Sequence, residues 1–195
     1  MNDILQKTTG FAKSAHGPQR RKFVDEPYVN HLVRVMNICS EYTNDIPTLC
    51  AALLHDVLED TDTTKQELLD YLHGILDHEQ SQRTMTLVEE LTDIYTKKNY
   101  PRLNRRQRKN KEATRLAHSE SASQTIKYAD IIDNSSDILN AEPDFAKLFL
   151  YECRNLLKVM IDGNAELRQR AIEKVESSIK QQQLSTHNDQ TRPRL

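Results

Sequence analysis

The sequence predicts an all-α fold in a single domain, on three observations. Its 195 residues fit one domain of ordinary size. Glycine is scarce at 4 and proline modest at 6, too few for the many turns of an all-β fold or for glycine-rich phosphate loops. Neither G-x-G-x-x-G nor G-x-x-x-x-G-K-[ST] occurs. Apolar residues recur at helical spacing almost throughout. Hydrophobic residues make up 37% and charged residues 29%, enough to fill one core beneath a polar surface.

Each element has its own signal. Ile4, Leu5, Phe11, Ala12 and Ala15 mark a first helix, which Gly17-Pro18 stops. The basic stretch Gln19-Arg20-Arg21-Lys22 follows, and the chain turns through Asp25-Glu26-Pro27. Leu32, Val35, Met36 and Cys39 mark a second helix from Tyr28 to about Tyr42. Pro47 opens a third, whose interior Leu49-Cys50-Ala51-Ala52-Leu53-Leu54 is apolar on nearly every side and therefore central and buried. Thr63 or Thr64 caps a short fourth helix with Leu68, Leu69 and Leu72, and a longer one runs from about Ile75 to Tyr95.

Composition then shifts. Thr96 to Lys111 holds eight Lys or Arg and no acid, is interrupted by Pro101, and reads as a loop. A helix resumes through Ala113 and Leu116 to about His118, and another spans Ser121 to Leu139. Pro143 opens a helix bearing Phe145, Leu148, Phe149, Leu156, Leu157 and Met160, and Gly163 separates it from a last charged helix ending near Lys180. The reading is a bundle of about eight to ten helices over residues 1–180. The polar residues 181–195 are expected to be disordered.

Several classes fall away. No apolar run approaches the roughly 18–20 residues of a membrane span. Met1-Asn2-Asp3-Ile4 opens no signal peptide, and neither a membrane partner nor a second catalytic domain is expected. Cys39, Cys50 and Cys153 are odd in number and lack C-x-x-C spacing, so they read as reduced thiols in a cytoplasmic protein. With 27 basic against 29 acidic residues the net charge is −2, which argues against a dedicated nucleic-acid binder.

The sharpest local signal is Leu54-His55-Asp56-Val57-Leu58-Glu59-Asp60-Thr61. Three carboxylates and an imidazole at the end of a buried helix repel one another unless a cation compensates. On a continuous helix, spacing of four aligns His55 with Glu59 and Asp56 with Asp60. A helix that merely surfaces and turns polar, with His55 in the core, is the alternative. His31 early in the second helix and Asp130 within Ile126-Lys127-Tyr128-Ala129-Asp130 tilt the balance, because an aspartate in an apolar stretch is costly to bury alone. His31, His55, Asp56 and Asp130 together offer two nitrogens and two oxygens, a set suited to Mn²⁺, Fe²⁺ or Zn²⁺.

The order H…HD…D resembles the HD-domain metal-dependent phosphohydrolases. It is most similar to the hydrolase domain of the Rel/Spo alarmone enzymes and to the stand-alone small alarmone hydrolases. The blocks that carry this are Ala15-His16-Gly17-Pro18-Gln19-Arg20-Arg21-Lys22, Pro27-Tyr28-Val29-Asn30-His31, Ala51 to Thr61, and Ile126 to Asp130 with Asn134. The resemblance spans roughly residues 8–140. It implies one divalent metal, Mn²⁺ ahead of Fe²⁺ or Zn²⁺, on His31, His55, Asp56 and Asp130. It makes Glu59 and Asp60 the pair that positions and deprotonates the attacking water. Arg21, Lys22 and Asn134 would meet the nucleotide, and Lys97 and Lys98 its phosphates. The implied partner is a small-molecule nucleotide, guanosine 3′,5′-bis(diphosphate), losing its 3′-diphosphate to water. The oligomeric state stays open, with a homodimer one candidate.

Three positions depart from the family. Ile131 stands where a basic residue is usual, Asp133 where an aromatic or His is usual, and Ser136 where an Arg is usual. Positive charge is lost and negative charge gained near the expected phosphate site. Another 3′- or 2′-phosphorylated nucleotide, such as NADPH, is therefore a second substrate reading. A degenerate domain that only senses a nucleotide is a third, against which the intact Glu59-Asp60 pair speaks.

Overall fold

The computed structural model describes residues 3–190, with side chains to residue 184. Its helices are α1 (Asp3–His16), α2 (Val29–Ser40), α3 (Ile46–Leu54), α4 (Val57–Asp60), α5 (Lys65–His73), α6 (His78–Leu91), α7 (Arg105–Leu116), α8 (Ser121–Asp137), α9 (Pro143–Val159) and α10 (Ala165–Gln190). A 3-10 turn, Ile138–Asn140, joins α8 to the segment before α9. Among the described residues there is no strand, only an isolated bridge between Arg20 and Pro27. No helix among them is long and apolar enough to cross a membrane.

Local chemistry sets the helix ends. Gly17, at φ 52°, ends α1 in the left-handed conformation that glycine adopts without strain. The Asp45 carboxylate accepts the Thr48 amide at 3.0 Å and starts α3. Thr64 and Glu67 cap α5 reciprocally, and Asn104 and Gln107 do the same for α7. That second box explains why α7 begins at Arg105, well before the helix expected near Ala113, so half of the supposed basic loop is helical. The preceding helix starts late, at His78, where the Asp77 carboxylate accepts the Gln80 amide. It also stops early, at Leu91 rather than Tyr95, because the Glu112 carboxylate accepts the amides of Ile94 and Tyr95.

α3 is the axis of the bundle. Every residue from Pro47 to Leu54 is buried, and α1, α2, α6 and α8 pack around it. The all-round apolar sequence demanded this, since such a helix gains from burial on every face. α8 lies between α2 on one side and α10 on the other, and α9 closes the far end against α10. α10 continues beyond the expected end at Lys180 to Gln190. Along that extension the Gln182 amide donates to the Pro143 carbonyl at 3.1 Å. The remainder of the expected tail, 191–195, lies outside the described residues.

The segment between α9 and α10 docks on α8 by hydrogen bonds. Tyr128 donates to the Met160 carbonyl at 2.8 Å, the Asp162 amide to Gln124 Oε1 at 3.0 Å, and the Asn164 amide to Thr125 Oγ1 at 2.9 Å. Gly163 sits inside this contact. A Cβ there would lie 2.5 Å from Tyr128 Cε2 and 2.9 Å from the Thr125 nitrogen, and Tyr128 is fully buried. Gly163→Ala is therefore expected to destabilise the fold by about 1–3 kcal/mol through overpacking. Denaturant unfolding checks this, with a lower midpoint at unchanged slope as the expected result.

Candidate metal centre and active site

The site forms where α3 ends. The helix stops at Leu54, and His55-Asp56 make a two-residue turn before α4 begins at Val57. Glu59 and Asp60 thus belong to a separate single-turn helix, not to a continuation of α3 as the spacing argument assumed. The break turns both side chains of the adjacent pair toward one point. His55 Nδ1 lies 2.9 Å from the Ala52 carbonyl, which leaves Nε2 for the site.

Two further helices complete it. His31, fully buried in the first turn of α2, places Nε2 at 3.6 Å from Asp56 Oδ2 and 3.3 Å from Asp130 Oδ1. His55 Nε2 lies 3.2 Å from Asp56 Oδ2 and 3.7 Å from Asp130 Oδ1. Metal bonds of about 2.0–2.2 Å separate neighbouring ligand atoms by about 3.0–3.6 Å. The four ring edges match that spacing to within about 0.1 Å. Both imidazole Nε2 atoms are buried and accept or donate no hydrogen bond. His31, His55 and Asp56 meet the spacing of a metal cluster as a trio, and Asp130 stands against both imidazoles. The residues therefore fit a divalent cation.

Neighbours hold the carboxylates in place. Tyr28 donates to Asp56 Oδ2 at 2.7 Å, and Asn134 donates to Asp130 Oδ1 at 2.5 Å. Lys127 Nζ sits 2.8 Å from Asp130 Oδ2. The Tyr28 ring stacks on His16 at 4.6 Å and carries the Arg21 guanidinium at 5.5 Å. Neither Tyr28 nor Lys127 has a role in the sequence reading, although both stand in its diagnostic blocks. A residue 28 positions from Asp56 gives no local spacing signal.

The electrostatics favour positive charge at the centre. Burial opposes protonation of His31, but the surrounding Asp130, Asp133 and Asp56 carboxylates outweigh it and raise its pKa to about 10. His55 is raised to about 9, against its burial, chiefly by the Asp56 charge. Asp56 and Asp130 are held well below the usual carboxylate range in spite of burial, Asp56 first by His55 and Asp130 first by Lys127. Glu59 behaves oppositely. Lost hydration and the Asp93 charge raise it to about 7, and its Oε2 accepts the Asp93 amide at 3.0 Å. Asp60 is raised as well, first by desolvation and then by Asp56.

The nucleotide-facing expectations separate into two groups. Arg21 and Asn134 do come together: the guanidinium donates to Asn134 Oδ1 at 2.7 Å and to Asp137 Oδ2 at 3.0 Å. Lys22 is exposed, with Nζ 5.2 Å from the ring centres of Phe23 and Phe145. Lys97 and Lys98 stand in the exposed turn that follows Asp93, without an ion pair among the described residues. Asp133 does not face a phosphate site. It points inward, 2.7 Å from His31 Nδ1, and pairs with Arg34.

Residues 9–141 match the HD-domain family. The guanosine-3′,5′-bis(diphosphate) 3′-pyrophosphohydrolase MESH1 of Mus musculus is 36% identical over 142 residues, which span 71% of this chain and 72% of the mouse protein. A guanosine-3′,5′-bis(diphosphate) 3′-pyrophosphohydrolase of Aquifex aeolicus is 41% identical over 90 residues, 46% of this chain and 12% of the bacterial one. The solved structure of a metazoan ortholog of SpoT that hydrolyzes ppGpp superposes with a TM-score of 0.74 at 26% identity, covering 93% of this chain and 96% of that one. The break after α3, the four facing nitrogen and oxygen atoms and these likenesses agree, and the chain belongs to the HD-domain metal-dependent phosphohydrolases.

Proposed function

We propose that the chain is a guanosine 3′,5′-bis(diphosphate) 3′-pyrophosphohydrolase that uses Mn²⁺ and acts in the cytoplasm. The observation that carries this is the facing set His31 Nε2, His55 Nε2, Asp56 Oδ2 and Asp130 Oδ1 with Glu59 one turn beyond. Relatives whose names state that activity support the substrate class. When bound, a divalent cation supplies positive charge for phosphoryl oxygens and draws the pKa of a water toward neutrality.

The protein's own groups do the rest. Water attacks the phosphorus joined to the ribose 3′ oxygen, that phosphorus–oxygen bond breaks, and pyrophosphate leaves a 3′-hydroxyl. Glu59, with a pKa near 7, is matched to take the proton from the attacking water. The Asp93 amide fixes its carboxylate, and Asp60 orients the same water from the neighbouring position. Arg21, between α1 and α2, and Asn134, on α8, meet the nucleotide together, Lys22 joins them beside the Phe23 and Phe145 rings, and Lys97 and Lys98 add charge for the outer phosphates.

Purified protein with Mn²⁺ is expected to release pyrophosphate from guanosine tetraphosphate, and Asp56→Ala to abolish this. Orthophosphate from NADPH would instead support a nucleotide phosphatase, and no turnover of any nucleotide a sensor. Glu59→Gln should lower kcat by about 10²–10⁴-fold, the usual contribution of a general base, while metal titration still gives one bound Mn²⁺. Because Glu59 acts as carboxylate, kcat is expected to fall as pH drops through its pKa. Bound metal adds positive charge, so that limb lies at or below about 7. A kcat–pH profile that keeps the limb in Glu59→Gln would assign it to another group.

A further inference from the structure

His31 and Arg34 lie one turn apart on α2 and share one carboxylate, that of Asp133 on α8. Asp133 is buried, with Oδ2 2.7 Å from His31 Nδ1. Arg34 grips the same carboxylate through Nε at 2.5 Å and a terminal nitrogen at 3.1 Å. The other side of the guanidinium is held by Glu26 at 2.6 and 3.0 Å. Glu26, Arg34, Asp133 and His31 thus form one line of alternating partners that ends on the imidazole.

A carboxylate can only accept hydrogen bonds. Neutral His31 must therefore carry its single proton on Nδ1, which leaves the Nε2 lone pair open. Nε2 is the atom that faces Asp56 and Asp130 and has no partner. His55 reaches the same state by another route, through the Ala52 carbonyl. We propose that Asp133, clamped by Arg34 and Glu26, is a positioning residue that locks the tautomer and ring orientation of His31 for the metal. This rests on the metal-centre reading above. It gives a use to a residue that departs from the family pattern, and explains why its charge does not oppose a phosphate: Arg34 neutralises it. Carboxylates that support a ligating histidine in this way raise its basicity and fix its aim.

Asparagine is the informative replacement. Arg34 needs acceptors, so the amide nitrogen of Asp133→Asn turns toward His31 Nδ1 and favours the proton on Nε2. Titration of chelator-stripped protein with Mn²⁺ should show one site in the wild type. In Asp133→Asn the site is expected to be roughly 10–100-fold weaker, the usual effect of losing such support. Arg34→Met removes the clamp but leaves the carboxylate on His31, and should hold Mn²⁺ far better than Asp133→Asn. Wild-type affinity in Asp133→Asn, or equal losses in both variants, would overturn the proposal. Absence of Mn²⁺ binding by the wild type would overturn the metal reading with it. Should Asp133→Asn not fold, nitrogen NMR of Zn²⁺-loaded wild-type protein decides. A proton on His31 Nδ1 is expected, and one on Nε2 would sink the idea.

Discussion

The Asp130 carboxylate is buried in the middle of α8, packed against two imidazoles on neighbouring helices. Burying a lone charge costs several kcal/mol even after relaxation, so this position is tenable only if everything around it answers the charge. Lys127 does so one turn earlier on the same helix and Asn134 one turn later. His31 and His55 approach from the other side, and α2 and the end of α3 have to be where they are for that to happen. The bundle is thus organised around an acid whose partners come from three helices. A bound cation of charge two would settle the balance that the imidazoles and Lys127 strike without it.

The near-zero net charge conceals a division of labour among the cations. Arg105 pairs with Glu152 on α9, Lys109 pairs with Asp93, and Arg115 donates to the Glu90 and Thr92 carbonyls at 2.6 and 3.1 Å. These members of the basic stretch and its continuation fasten α7 to its surroundings. Through Lys109 they also place Asp93, the residue whose amide holds Glu59. Lys97 and Lys98 precede the helix and remain in solvent. One run of like charge therefore serves two ends, and its exposed members, Lys97, Lys98, Arg102 and Arg106, are suited to attracting an anion from a distance.

How much of this could be read in advance depends on range. Pro47, Pro143, Gly17-Pro18 and Thr64 act within a few residues of themselves, and the helices they delimit follow from the pattern. The start of α7 was equally local in its Asn104–Gln107 box, but strong charge and little apolar content masked it. That His31, His55, Asp56 and Asp130 belong together was legible because buried ionisable residues stand out against an apolar background. Tyr28 and Asp133 were not, since their contacts with Asp56 and His31 cross 28 and 102 positions. The separate single-turn helix that carries Glu59 and Asp60 also escaped, because Val57 and Leu58 continue the apolar rhythm past His55-Asp56.

Arg21 has partners before any ligand arrives. Its guanidinium is already shared between Asn134 and Asp137, and its side chain is almost wholly covered. An anion that recruits Arg21 must win it from a carboxylate instead of meeting it bare. Charge-assisted pairs of this kind are roughly twice as strong as neutral hydrogen bonds, so a neutral group gains nothing by displacing Asp137. Exchange of partners at Arg21 would then rank entering groups by charge: the more negative the group, the more fully it repays the displacement of Asp137.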